Sequence, residues 1–453
     1  MNKLLLYILP FWLLSCEFTN ESQKQENVFD LGNLPVNRFL ISAIQDTILE
    51  GSKGIKVIVE SDAFLYDSKV YKDSVQLELI EVLTKQDMVL AGMSTITTKG
   101  QLLESGGMLK LTVKSLGGKS LQLIEGKVKI EIPTKAIKPD MMLFSSQESE
   151  NGQITWEMKD TLPNTPLTES IQIGKSLFEG NCIECHGIIE EVVGPRLGNI
   201  TQKRSADWLL SFTKYPQCMI EMGDSISVCL YDKYQQYMPN YDFLSDEEIN
   251  SIYTYIDNES KLNQTYLDSL DLVDTLVCVT RFPISDPRYF TTVSYVGTFQ
   301  DEAVTDCAIM VPDSFVMKTY EYTYPLNITE LSWMNVDRFL KVYEPISFYA
   351  SIRNKDVQII QSALVLYNYN SVIIGYVNKQ GLISFNFFGE EGKTPLPIGE
   401  PALIVVVAKN GNQYFYGIKE LKISEGNYEV ELMGSDLKSI REKTSEAIDE
   451  FLE

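Results

Sequence analysis

Three residues with reactive or metal-binding side chains lie within five positions, in the run Cys182-Ile183-Glu184-Cys185-His186. Two thiols at this spacing can each form a thioether with one vinyl group of a single porphyrin, and the next histidine can bind the iron. The pattern predicts one covalent haem c with His186 as an axial ligand. Because His186 is the only histidine among 453 residues, this chain cannot supply a second histidine ligand.

The residues alone leave two other uses of Cys182 and Cys185 open. A thioredoxin-like redox pair requires a strand-helix-strand context, and the surrounding sequence lacks that pattern. A structural zinc ion requires four ligands, which here would have to include Cys218 or Cys229.

The sequence around the motif has helical periodicity over residues 167–262. Its clearest helix signal is Ser245, a predicted N-cap, with Glu248 at the third helical position. Apolar residues at helical spacing then follow, namely Ile249, Ile252, Tyr253 and Ile256. We therefore predict an all-α domain that ends with this helix.

Several residues of this segment match class I, or mitochondrial-type, c cytochromes, and the segment resembles that family. The matches are Gly174 and Phe178 before the motif, Gly194-Pro195-Arg196-Leu197 after it, and the final helix. The resemblance implies that the Pro195 carbonyl accepts a hydrogen bond from Nδ1 of His186. That contact would leave Nε2 free for the iron.

The resemblance also implies a distal methionine ligand that precedes a proline. Met238, 52 residues beyond His186 and followed by Pro239, fits this position. Met219 and Met222 are competing candidates, and an open sixth position is the remaining alternative. A thioether ligand would favour Fe(II) and raise the reduction potential. Because Met more often serves to fill a core, the Met-Pro context carries this prediction.

Three further residues are candidates for contacts with the haem propionates: Arg196, Arg204 and Trp208. The alternative is that Trp208 packs in the core and that both arginines are solvated surface residues.

The first residues have the pattern of an export signal. Lys3 precedes an apolar run over residues 4–14 that is too short to span a bilayer, and the run ends in Leu14-Ser15-Cys16. This resembles the lipobox of bacterial lipoproteins, which implies cleavage after residue 15 and lipidation of Cys16. We therefore expect a lipid-anchored protein of the bacterial envelope, at the outer membrane, with a polar tether over residues 16–29. An ordinary signal peptide is the alternative.

The remaining cysteines form two candidate pairs, Cys218 with Cys229 and Cys278 with Cys307. Disulfide bonds are expected in an exported chain because that compartment is oxidising. Connectivity stays open at this point.

The flanking regions have the alternating apolar pattern of β-strands. This pattern predicts a β-sandwich-like domain over residues 30–144 and a β-rich region of one or two domains over residues 272–435. A linker is predicted over residues 145–166. A charged terminal helix is predicted over residues 436–453. Residues 332–339 resemble a Trp-x-Asn-x-Asp-Arg-Phe segment of bacterial surface lipoproteins, in which Asp337 and Arg338 are predicted to form a structural ion pair or turn rather than a catalytic pair.

The net negative charge of the chain limits the kinds of molecule that it can bind. The whole chain has a net charge of −23, which disfavours nucleic-acid binding. Residues 167–262 contain 7 basic and 15 acidic side chains, a net charge of −8. A redox protein partner with a basic face is therefore expected. The leading hypothesis is an electron carrier, and the alternatives are a haem enzyme or its electron-entry domain, and a surface scaffold with an accessory haem module.

Overall fold

The structure is a computed structural model that describes residues 28–148, 153–273, 317–341, 345–353, 356–385 and 393–452. The predicted order of a strand-rich region, a helical region and a second strand-rich region is confirmed. The predicted signal peptide, nearly all of the tether, and Cys16, Cys278 and Cys307 lie outside the described residues.

The elements follow in chain order. A 3-10 turn, Leu31–Asn33, precedes β1 Val36–Ser42, β2 Thr47–Glu50, β3 Lys56–Val59, β4 Phe64–Tyr66, β5 Lys69–Val70, β6 Ser74–Val82, α1 Lys85–Ala91, β7 Leu103–Ser115, β8 Gln122–Leu123, β9 Val128–Pro133, β10 Met142–Glu148 and β11 Ile154–Thr161. The helical region contains α2 Pro166–Asn181, α3 Ile200–Lys203, α4 Ala206–Lys214, α5 Pro216–Glu221, α6 Ser225–Tyr234, α7 Asp246–Leu262 and α8 Gln264–Val273. The remainder contains β12 Thr323–Asn327, β13 Trp333–Phe339, β14 Ile346–Ile352, β15 Gln358–Leu366, β16 Val372–Ile374, β17 Tyr376–Val377, β18 Ile383–Ser384, β19 Lys393–Thr394, β20 Pro401–Asn410, β21 Gln413–Lys422, β22 Gly426–Val430, β23 Met433–Ser435 and α9 Leu437–Leu452.

Two antiparallel sheets form the N-terminal β-sandwich. One has the order β1-β6-β7-β13-β10-β11, and the other has the order β12-β9-β3-β2. Alternate side chains of each sheet point into one shared core, as period-two apolar spacing predicts. The core includes Leu77, Leu111, Val57 and Ile130.

The sandwich is completed by strands that follow the helical region in sequence. Strand β12 pairs with β9, and β13 lies between β7 and β10. The helical region is therefore an insertion between β11 and β12. Two predicted boundaries differ from this arrangement, because residues 154–161 form an edge strand rather than linker, and residues 323–339 belong to the sandwich. The mostly exposed side chains of β11 hide its strand pattern.

The C-terminal region stacks a second pair of sheets, one with the order β16-β15-β20-β21-β23 and the other built around β14. The apolar run of β20 is buried on both faces. Leu403 and Val405 face a core shared with α1, α9 and the first sandwich, whereas Ile404 and Val406 face Phe348. A central layer of this kind explains why its apolar residues are consecutive rather than alternating.

Asp337 and Arg338 do not pair with each other. Neighbouring residues of a strand point to opposite faces of the sheet. Arg338 binds buried Glu104, with Nε 2.7 Å from Oε2, whereas Asp337 accepts a hydrogen bond of 2.6 Å from Asn335. Complete burial raises the pKa of Asp337 well above its ordinary value. Both residues are structural, but the predicted ion pair between them is wrong.

Candidate functional site

Helix α2 carries the Cys-x-x-Cys-His motif at its C-terminal end. Thr165 and Thr168 form a capping box at its start, and Pro166 occupies the first turn. A Cβ atom on Gly174 would lie 1.9 Å from the carbonyl oxygen of Ser251 on α7. Only glycine therefore allows the close crossing of α2 and α7 that brings the motif next to the final helix.

The motif itself is a tight turn that follows the helix. The amides of Cys185 and His186 both donate to the carbonyl of Cys182, at 3.1 and 2.9 Å. Both cysteines are free thiols. Burial raises the pKa of Cys182 to about 11, so its thiol stays protonated near neutral pH. The two sulfur atoms are available for thioether formation.

His186 is held in one tautomer. Its Nδ1 lies 2.8 Å from the carbonyl oxygen of Pro195, the contact that the family resemblance implies. Since a carbonyl can only accept, Nδ1 donates and Nε2 keeps its lone pair. Burial lowers the pKa of His186, which favours the neutral, metal-binding form. A Cβ on Gly194 would lie 2.7 Å from Cε1 of the ring, so the loop needs glycine there.

Residues 187–198, here called the proximal loop, fold back over the histidine. The amides of Val193 and Gly194 donate to the Cys185 carbonyl at 3.1 and 2.9 Å. Further along, the amide of Leu197 donates to the Gly187 carbonyl at 2.9 Å. These backbone hydrogen bonds fix the Pro195 carbonyl against the imidazole.

Two adjoining cavities lie beside His186, with volumes of about 370 and 180 Å³. Met238 lines both of them, together with Cys182, His186 and Pro195. Neither Met219 nor Met222 lines either cavity: Met219 is buried elsewhere, and Met222 is 57% exposed. Of the three methionine candidates, the structure brings only Met238 to the histidine.

Helices α5 and α6 support the segment that carries Met238. They hold Cys218 and Cys229, which are both disulfide-bonded. Helix α6 ends at Tyr234, and Gln235 follows in the left-handed conformation, with φ of 51°. This reversal starts the turn that leads to Met238. These two short helices were not predicted individually from the sequence.

The predicted propionate residues have mixed placements. Arg196, Arg204 and Trp208 all line the larger cavity. However, Nε1 of Trp208 donates to Asp224 at 3.1 Å, and the guanidinium of Arg204 lies 5.7 Å from the Trp208 ring centroid. The indole is therefore hydrogen-bonded to a carboxylate of the protein. The two arginines bring positive charge to the lining of this cavity, where an anionic group would be stabilised.

Two tyrosine hydroxyl groups that were not predicted as site residues form hydrogen bonds in the cavity walls. Tyr253 shares a hydrogen bond of 2.7 Å with Thr213, and Tyr241 donates to the Asn181 carbonyl at 2.6 Å. Burial raises the pKa of both tyrosines. The density of tyrosine over residues 231–241 was a signal for Tyr241, whereas Tyr253 lies on α7 outside that run.

The final helix joins the helical region to the sandwich. As predicted, Ser245 and Glu248 form a capping box at the start of α7. Buried Asn258 accepts from the amide of Ile137 at 2.8 Å and donates to its carbonyl at 3.0 Å. Tyr322 donates to Asp257 at 2.9 Å. The helical region is therefore packed against the sandwich rather than only tethered to it.

The two alternative uses of the cysteine pair lose support. Residues 166–273, all of which the structure describes, contain no strand and hence no thioredoxin-like context. Cys218 and Cys229 are disulfide-bonded and cannot be zinc ligands. Within the described residues, no group of three or more His, Cys, Asp or Glu side chains could hold a metal ion.

Comparison with known proteins agrees with this site. Residues 171–260 match the family model of cytochrome c. A solved cytochrome c from Rhodothermus marinus is 24% identical, with a TM-score of 0.20, and the match covers 23% of this chain and 87% of that one. An engineered form of it bound to a carbene intermediate is also 24% identical, with a TM-score of 0.19, and covers 23% and 88%. No curated protein matches the chain.

The family match defines a c-type cytochrome domain inside a larger chain. Such a domain binds haem c covalently and supports haem-based electron transfer. The residues present fit that group: two free thiols, a neutral imidazole with Nε2 available, and a largely apolar crevice. When bound, the haem supplies a one-electron redox centre. The protein would orient the haem through His186 and place two arginines in the lining of the crevice.

Proposed function

We propose that this protein is an envelope-anchored electron carrier with a single haem c, ligated by His186 and Met238. The observation that carries the proposal is the shared cavity. Met238 and His186 line the same space, and no other methionine candidate does. His186 and Met238 would together hold the iron and keep small molecules from it, and little would have to rearrange when an electron is gained or lost.

The ligand test compares Met238→Ala with Met222→Ala, since exposed Met222 lies outside both cavities. We expect Met238→Ala to lose the weak far-red charge-transfer band of the oxidised protein, to bind carbon monoxide when reduced, and to have a lower reduction potential. Met222→Ala should behave as wild type. An unchanged spectrum in Met238→Ala would exclude Met238 as an iron ligand.

The proposed envelope anchor is lipidated Cys16, supported by the apolar run and the Leu-Ser-Cys pattern before it. In the part of the chain that the structure describes, no helix combines the length and apolarity needed to cross a membrane. Radiolabelled palmitate should be incorporated into the wild-type protein in a bacterial host and should be absent from Cys16→Ser. Equal incorporation in both would reject this anchor.

The proposed docking face for a redox partner is the surface at the cysteine-bearing end of α2. The sandwich packs against the start of α2 through Leu167, and this 16-residue helix is about 24 Å long, so its cysteine-bearing end lies at the far end of the helix from that contact. Exposed apolar side chains there are Ile183, Val192 and Val193, with exposed Glu184 and Glu190 beside them. A partner with a basic face suits this surface.

Salt dependence tests the docking face. Reduction by hexaammineruthenium(II), a cation, should slow as salt increases, because ions screen its attraction to the acidic surface. Reaction with the anion ferrocyanide should accelerate instead. Glu184→Lys/Glu190→Lys should weaken both trends, whereas Glu442→Lys on α9 should change neither. Equal salt dependence for the two reagents would reject electrostatic steering.

A further inference from the structure

Two separate pieces of chain form the opposing walls of the haem crevice. The proximal loop carries the carbonyl that orients His186. The other wall is α6 and the turn to Met238, here called the distal segment, residues 225–238. Because the two walls come from different parts of the domain, a contact between them is needed to fix the distance between His186 and Met238.

One side chain of the proximal loop reaches the distal segment. Oε1 of Glu191 accepts a hydrogen bond from the hydroxyl of Tyr234 at 2.7 Å and lies 3.1 Å from Nζ of Lys233. Glu191, Tyr234 and Met238 all line the larger cavity. The hydrogen bond from Tyr234, followed by that from Lys233, lowers the pKa of Glu191. The carboxylate thus stays charged at neutral pH and keeps both donors.

The backbone ties each end of this contact to one ligand. Glu191 forms an isolated antiparallel bridge with His186, so its main chain lies against the proximal ligand. Tyr234 is the last residue of α6, and Met238 follows four positions later through the left-handed turn at Gln235. The ring of Tyr231 also lies 4.4 Å from that of Tyr237, next to Met238. Only three residues therefore separate Tyr234 from Met238, and the Tyr231–Tyr237 contact spans them.

We propose that Glu191 and Tyr234 form a strap across the crevice, a contact between its two walls that keeps Met238 in the cavity it shares with His186, where both side chains would hold the haem iron. Both are positioning residues. The inference rests on the proposed His186 and Met238 ligation, and it adds residues that the sequence motif does not contain. The Lys233 ammonium stabilises the charged form of the Glu191 carboxylate, but the Tyr234 hydroxyl makes the shorter contact with it.

Two conservative variants test the strap in the full-length haem-loaded protein. Tyr234→Phe removes the hydroxyl and keeps the ring in the cavity wall, and Glu191→Gln removes the charge and keeps the shape. Tyr266→Phe is a matched control, because Tyr266 lies on α8 and is exposed. Glu179→Gln is the second control, because Glu179 pairs only with Lys175 on the surface of α2, at 3.8 Å.

Carbon monoxide binding to the reduced protein is the decisive measurement, since it requires the sixth ligand to leave. We expect both strap variants to bind carbon monoxide about three- to tenfold faster than wild type, because Tyr234→Phe removes one charge-assisted, partly exposed hydrogen bond and Glu191→Gln weakens it. The far-red band should weaken in both. The double variant should be no faster than the singles, because the two residues act through one contact.

The outcomes separate this inference from the proposed ligation. If wild-type protein already binds carbon monoxide readily, the closed His186 and Met238 site is wrong and the strap has no basis. If wild type resists carbon monoxide and Tyr234→Phe and Glu191→Gln resist it equally, the ligation stands and the strap is rejected. Additive effects in the double variant, or equal effects in the two controls, would also overturn it.

Discussion

The cytochrome domain and the β-sandwich that encloses it in sequence are built in opposite ways. In the cytochrome domain, ligand, thiols and orienting carbonyl lie within residues 182–195, and local backbone hydrogen bonds hold them. In the sandwich, the central strand β13 pairs with β7 more than 200 residues earlier. The site is thus specified locally, whereas its support is specified by pairing between distant segments. This difference predicts that a substitution in one region can change the stability or the haem site of that region while it leaves the other region folded.

The largest expected effect comes from removing the attachment chemistry. Cys182→Ser/Cys185→Ser should abolish covalent haem, because no thiol remains to form either thioether. The strand signal in far-ultraviolet circular dichroism should persist, since the sandwich cores contain neither cysteine. Haem staining of a denaturing gel measures the first effect. Loss of the strand signal would contradict the separation of the two regions.

The helix crossing offers the next test. Gly174→Ala places a Cβ 1.9 Å from the Ser251 carbonyl oxygen, so α2 and α7 must separate. We expect the free energy of unfolding of the cytochrome domain to fall by about 3 kcal/mol or more. Thermal unfolding followed at the haem absorption band measures this change.

Gly180 supplies the matched control on the same helix. A Cβ there meets nothing within 4 Å, so Gly180→Ala should stabilise the helix by about 0.5–1 kcal/mol. Equal destabilisation by the two variants would mean that the crossing at Gly174 is not the cause.

Proton-linked stability should distinguish the β regions from the cytochrome domain. Lys85 on α1 is buried and donates to the Tyr367 carbonyl, and burial lowers its pKa to about 8. Between pH 8 and the unfolded value near 10.4, the unfolded chain binds more protons, so this residue makes stability rise with pH. The gain is at most about 3 kcal/mol.

Lys85→Met isolates this contribution, because other groups titrate equally in both proteins. Chemical denaturation at several pH values can be followed by the circular dichroism of the strands. The free energy of unfolding of wild type should rise relative to that of the variant from about pH 8 upward. Parallel pH profiles would show that the Lys85 amine has an ordinary pKa in the folded protein.

The smallest expected effect lies at the junction between the regions. Asn258→Ala leaves the buried amide and carbonyl of Ile137 without their partner, at a cost of about 1–3 kcal/mol. Because these bonds join α7 to the sandwich, the variant should loosen the domain arrangement while the haem spectrum stays unchanged. Hydrogen exchange at Ile137 and limited proteolysis measure the loosening. A changed haem spectrum would show that the junction also supports the iron site.

The Cys-x-x-Cys-His spacing predicted haem attachment from neighbouring residues alone. The resemblance to class I c cytochromes implied the contact of Pro195 with His186 and pointed to Met238 through the proline beside it, and the structure places both residues beside His186. Glu191, Tyr234 and Tyr253 were not predictable, since their roles depend on contacts with residues 40 or more positions away. Trp208 shows the same limit: its type indicated a hydrogen-bond donor, but only the fold assigned Asp224 as the acceptor. Strand β11 was not predicted because the side chains of residues 157–161 are all exposed, so the strand lacks the alternation of buried and exposed residues that identifies strands.

By itself, the sequence determined that this protein attaches a haem, that His186 is the only histidine available to it, and that strands flank a helical domain. Tertiary structure decided that the cytochrome domain is inserted within a sandwich, that Met238 shares a cavity with His186, and that Glu191 meets Tyr234. The physical reason is the distance along the chain over which each kind of interaction acts. Covalent attachment and capping act over a few neighbouring residues, whereas sheet order and cavity walls depend on which distant surfaces bury each other.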